Sequence, residues 1–201
     1  MEAAERLTRD QEPSVMPAAT GRWSPPVAGS VTEHRLDPEK IAVVGHSLGG
    51  FAALMTAAVD SQVCAVASVA GFDLGAVGAR CRTDPVVRAA FVTAFEGELL
   101  PLQGTSGEAL VLEIESAGSE WSLARLAPRL ADRPVLLVGT GRDDVTPVQI
   151  HHEPVVTAYR TYPVPRLEHR VFMTDHSLSD HRVALARAVI DFLDRSVGVT
   201  R

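Results

Sequence analysis

KIAVVGHSLGGFAALMTA, residues 40–57, is the stretch on which the rest of the chain turns. Ile41-Ala42-Val43-Val44 is an unbroken apolar run rich in β-branched residues, the pattern of a strand covered on both faces. Gly45-His46-Ser47-Leu48-Gly49 ends that run. Phe51, Leu54, Met55 and Ala58 then recur at helical spacing, so a helix is expected over Leu48 to Val59. A strand that passes into a helix through so short a turn holds Ser47 in a strained conformation and lifts its hydroxyl above the sheet. Glycine is expected at the flanking positions, Gly45 and Gly49, where side chains would collide with the neighbouring strand or helix. The first N–H groups of the helix, Leu48 foremost, lack intrahelical partners and face the place where negative charge would develop.

Working outward, Asp37-Pro38-Glu39-Lys40 reads as a turn into the first strand. Further strands are expected at Val63 to Val69, Pro134 to Gly139 and Leu167 to Met173. After the third strand comes a turn, Thr140 to Pro147, then one or two helical segments broken by Pro154. A last helix is expected from Leu178 to Arg195, with Val183, Ala186, Val189, Ile190 and Leu193 on its apolar face. Residues 72–127 read as a helical insertion. Thr83-Asp84-Pro85 supplies one helix start, Thr105 with Glu108 forms a capping box, and Leu123, Leu126 and Leu130 suggest a further short helix. This alternation implies an α/β fold with a mainly parallel sheet flanked by helices. Residues 1–35, rich in Pro, Gly, Ser and Ala, read as an irregular N-terminal segment, and residues 36–201 as the domain.

The 201 residues fit one domain, and the net charge of −6 argues against nucleic acid or an anionic membrane as partner. No apolar run approaches the roughly 20 residues that span a bilayer. The start of the chain carries Glu2 and Glu5 and no apolar signal region, so cytoplasmic residence is expected. Cys64 and Cys81 lack metal-site spacing; Cys64 reads as a core residue and a disulfide is not expected. No metal or organic cofactor is implied.

A serine hydroxyl needs a base to become a nucleophile. His176 falls in the loop between the last strand and the last helix, where its imidazole can reach back over Ser47, whereas His181 reads as a surface residue inside the helix. The base needs a carboxylate to fix its tautomer. Asp143 and Asp144 both lie in the loop after the third strand, and Asp73 follows the second. His151-His152-Glu153 lacks the spacing of a metal motif and reads as a plain polar helix or loop. Arg80 and Arg82 read as a solvated loop, and Trp23 and Trp121 as pocket or packing residues.

LDPEKIAVVGHSLGG, RPVLLVGTGRDDVTP and TDHSLSDHRVALARAVIDFL together resemble α/β-hydrolases, above all the dienelactone-hydrolase-like and prolyl-oligopeptidase-like enzymes. The resemblance covers residues 36–195 and includes the chain order Ser, Asp, His. It implies a triad of Ser47, Asp143 and His176, with Asp143 favoured because it opens an Asp-x-x-Thr-Pro pattern. Asp73 stands where some members of the family carry the acid. The implied activity is cleavage of carboxylic esters through an acyl-enzyme, with Leu48 N–H as oxyanion donor and residues 72–127 as a lid. Peptide or amide cleavage and acyl transfer or thioester cleavage are alternatives on the same triad. The chain departs from the family before the elbow. Residues 1–35 show no His-Gly motif for a second oxyanion donor, and cannot hold three βαβ units of roughly 30 residues each. The expected fold is therefore a truncated α/β-hydrolase. Its sheet edge would be open to a homodimer, and an impaired or non-catalytic interaction module is the competing expectation.

Overall fold

The computed structural model describes residues 37–99 and 103–198. Trp23 and the segment 1–35 lie outside them. A turn closed by Lys40 N–H on the Asp37 carbonyl, at 3.1 Å, leads into β1, Ile41–His46. β2 is Val63–Val69, β3 Val135–Thr140 and β4 Leu167–Phe172. The order is β1-β2-β3-β4 and every pairing is parallel. Among the described residues β1 and β4 are therefore the two edges. All four strands end on one side, so the loops after them share one rim of the sheet. The ladder continues past the strand ends: Ser47 N–H donates to Val69, Ala70 N–H to Val138, Gly141 N–H to Phe172 and Arg142 N–H to Thr174. These bonds hold the rim loops in register.

Helix α1, Leu48–Val59, covers one face of the sheet. α2 is Leu74–Thr83, α3 Pro85–Glu98 and α4 Gly107–Ala117; 3-10 turns at Gly118–Trp121 and Leu123–Arg129 follow. α5 is a single turn, Val148–His151, α6 is Glu153–Thr161 and α7 is Arg182–Val197. One core packs Leu54, Val66, Leu126, Leu137 and Tyr159 between the sheet, α1 and α6. The opposite face buries Ala65, Ala67, Leu136 and Val138 against Leu178 and Phe192. A third cluster, Phe72, Val77, Cys81, Val111 and Ile114, joins α2 to α4.

Several boundaries move from their expected places. Ser106, not Thr105, caps α4 by accepting from Ala109 N–H, and Glu108 is drawn instead to Arg88 at 2.6 Å. The last helix starts at Arg182 rather than Leu178. Leu178 takes φ +52 to bury its side chain, 2% exposed, so a turn precedes the helix and His181 lies outside it. Arg80 and Arg82 occupy the last turn of α2, not a loop; Arg82 donates to the Glu115 carbonyl. Cys64 is only partly buried, its thiol donating to the Ile41 carbonyl, and both cysteines are free.

Arg133, just before β3, had no role in the sequence. Its buried Nη1 donates to three carbonyls, Ala57, Asp60 and Val63, at 2.6, 2.9 and 2.9 Å. Those acceptors are the end of α1 and the start of β2, so one guanidinium ties three elements together. Its remaining donors meet Asp132. Arg133→Met should cost about 3 kcal/mol, because it strands buried acceptors of a charged donor. A fall in the urea midpoint at unchanged slope is the expected reading.

Candidate active site

Ser47 is the only residue between β1 and α1. It adopts φ 56 and ψ −121, a conformation that a side chain tolerates only where the surroundings over-determine it. Here they do. Its N–H donates to Val69, and its carbonyl accepts from Gly50, Phe51 and Phe72 N–H at 2.9, 3.2 and 3.1 Å. Gly45 is required, since a Cβ there would run into the Gly49 carbonyl. Gly49 differs from expectation: a Cβ at that position meets nothing. The second close approach belongs to Gly50, whose added Cβ would lie 2.6 Å from Ser68 Oγ and 3.0 Å from Gly71 Cα. Leu48 and Gly49 N–H open α1 without acceptors among the described residues, as helix starts do.

Asp143 lies in the loop after β3 with its side chain fully buried. Oδ1 accepts from Val145 and Thr146 N–H, both at 2.8 Å. Oδ2 accepts from the hydroxyls of Thr140 and Thr146 and lies 2.7 Å from His176 Nδ1. Burial alone would raise this carboxyl. The Thr140 and Thr146 hydroxyls, the Thr146 N–H and His176 outweigh it and hold Asp143 well below the usual carboxylate range. The carboxylate thus fixes the proton of His176 on Nδ1 and leaves Nε2 as the basic nitrogen. Among the described residues, no hydrogen bond joins Ser47 Oγ to His176.

The other carboxylates fall elsewhere. Asp144 is exposed, and the Val145 and Thr146 N–H groups beside it go to Asp143. Asp73 caps α2, with Oδ1 on Ala76 N–H and Oδ2 on Leu123 N–H, so neither oxygen faces a histidine. Burial raises its pKa, and the Ala76, Leu123 and Gly75 N–H groups offset that only in part.

His151 and His152 are buried rather than solvated, at 5% and 8% exposure. His151 Nδ1 accepts from Asp73 N–H at 3.0 Å, and its ring lies on Phe72 at 4.8 Å. Burial pushes both histidines down to about 4. Among the described residues no cluster of three metal-ligating side chains exists. Thr140, Thr146, Gly50 and His46 were not singled out from the sequence. Thr146 alone carried a signal, as the threonine of Asp-x-x-Thr-Pro.

The fold is similar to that of several solved hydrolases. A puromycin-hydrolyzing peptidase of Mycobacterium tuberculosis matches 85% of this chain and 24% of its own, with a TM-score of 0.61 and 22% identity. An acylaminoacyl peptidase of Pyrococcus horikoshii matches 85% of this chain and 26% of its own, at TM-score 0.60 and 17% identity. An esterase of Pyrococcus furiosus matches 80% of this chain and 54% of its own, at TM-score 0.51 and 17% identity. The chain thus spans between about a quarter and about half the length of these proteins. No protein-family model and no curated protein matches it.

Two outcomes follow from the site. Gly49→Ala should be neutral or stabilising by up to about 1 kcal/mol, as for glycine in a helix. Gly45→Ala and Gly50→Ala should each cost about 1–3 kcal/mol from overpacking; denaturant titrations of the three variants test the contrast. The folded protein keeps His151 and His152 neutral down to about pH 4, whereas the unfolded chain protonates them near 6.5. The unfolded state binds more protons across that window, so stability should fall as pH drops from 6.5 to 4. Thermal melts across this range read it, and His152→Leu should shallow the slope.

Proposed function

The chain has an α/β-hydrolase fold, and on it we propose a serine hydrolase that cleaves small carboxylic esters. Ser47 Oγ attacks the acyl carbonyl while His176 Nε2 takes its proton. Asp143 stabilises the imidazolium, which then protonates the leaving group. Water, activated by the same imidazole, releases the acid from the acyl-enzyme. Leu48 N–H donates to the oxyanion. The observation that carries this reading is the pair formed by the buried Asp143 carboxylate and His176 Nδ1, 2.7 Å apart, on the sheet rim that also bears the strained Ser47.

α3 is the proposed lid. None of its residues is buried, and its Phe91 stands edge-on to Phe72 at 6.3 Å. The Phe72 N–H in turn holds the Ser47 carbonyl, so the lid rests on the segment that braces the elbow. Cleavage of an amide bond on the same triad is the second reading. It is favoured by the two peptidases among the similar structures.

Turnover of p-nitrophenyl acetate and labelling by a fluorophosphonate test the proposal. Ser47→Ala should abolish both, and Asp143→Asn should lower kcat by about 10⁴-fold. Wild-type turnover by Ser47→Ala would overturn the mechanism.

A further inference from the structure

His46, the last residue of β1, has no step in the acyl transfer described above, yet it touches the base. Its Nε2 lies 2.8 Å from the His176 carbonyl oxygen. A carbonyl only accepts, so Nε2 carries a proton and donates. The two imidazoles lie with centroids 4.7 Å apart at 50°. Among the described residues this is the one hydrogen bond that joins the elbow, residues 45–50, to the loop 174–181 that carries His176.

We propose that His46 is a positioning residue: its bond to the His176 backbone sets the distance between nucleophile and base. The proposal rests on the triad reading. His176 sits in a turn rather than in a helix or strand, 130 positions from His46. Among the described residues its ring is bonded through Nδ1 alone, to Asp143 and, at 3.3 Å, to the Thr146 hydroxyl. A ring held at one nitrogen can pivot about that point and swing Nε2 from its place. Fixing the backbone carbonyl removes that freedom. His46 can do so because it is covalently next to Ser47, whose Cα lies about 3.8 Å from its own across the shared peptide. Any drift of the base loop must therefore stretch a bond made by the neighbour of the nucleophile. His46 is exposed and belongs to none of the buried core clusters, so its loss should leave the core intact.

Three substitutions separate positioning from packing. His46→Phe keeps a ring against His176 and removes the donor. His46→Asn keeps an amide donor too short to reach the carbonyl. His46→Gln extends an amide N–H to about where Nε2 stands. With p-nitrophenyl acetate and the full chain, His46→Phe and His46→Asn should lower kcat about tenfold, because a misplaced base loses rate without loss of binding. KM should stay within about twofold, and His46→Gln should recover most of the rate, as one neutral hydrogen bond restored. Wild-type kcat in His46→Phe and His46→Asn, or His46→Gln as slow as either, overturns the proposal. Imidazole 15N–1H spectra supply a readout that does not need turnover. The His176 ring signals should shift in His46→Phe and His46→Asn and return in His46→Gln; unchanged His176 signals in all three overturn the clamp. Ser47→Ala run alongside tests the triad on its own: if it turns over like wild type while the spectra respond as described, the triad reading fails and the contact stands.

Discussion

The backbone of Ser47 is the knot on which the rim of the sheet depends. One N–H and one carbonyl bind β2, the first turn of α1 and the segment after β2. Four hydrogen bonds offset the strain of φ 56. They demand that α1 turn back over β1 with no room to spare, which is why Gly45 and Gly50 carry no side chain. The same compression leaves the Leu48 and Gly49 N–H groups at the head of a helix whose axis the sheet fixes. Two N–H donors at that point of the rim thus come from the way the chain turns, before any side chain is chosen.

Asp143 plays the corresponding part on the other side of the rim. Its Oδ1 shapes the loop by taking two backbone N–H groups, and its Oδ2 orients His176. The two threonine hydroxyls, which can only donate to a carboxylate, hold the ionised form. One carboxylate therefore joins loop geometry to the state of the imidazole. In such an arrangement a substitution at Asp143 alters both together.

The parts of this molecule that can be read from the chain are those set by local pattern. The apolar periodicity of residues 48–59 and the unbroken run 63–69 give those elements their observed bounds. The start of α3 follows from Asp84-Pro85, where Asp84 Oδ1 accepts from Val86 and Val87 N–H. The hidden parts are set by distant contacts. α2 carries Gly75 and Gly78, poor helix formers, because Ser122 and Ile114 backbone atoms press against them. Gly49 and Gly50 are indistinguishable in sequence, and only the packing against Ser68 and Gly71 tells which one the fold needs. The two histidines at 151 and 152 look polar and solvated until the fold sets His151 on Phe72 and Asp73 and His152 against Gly139 and His169. The order Ser, Asp, His was legible as a motif; the threonines around Asp143 and the contact from His46 to His176 depend on residues far apart in the chain.

Among the described residues the strand that delivers Ser47 is also a sheet edge, with Val44 47% exposed and only β2 as a ladder partner. Edge strands fray before central ones. The rim loops after β2 and β3 are braced by two ladders, whereas the elbow is braced by one and by its own knot. Warming such a sheet loosens the strand that delivers Ser47 while the helices and the Asp143 loop still stand. Amide protons of β1 would then exchange with solvent sooner than those of β2 and β3, and the placement of Ser47 would be lost ahead of the helical signal.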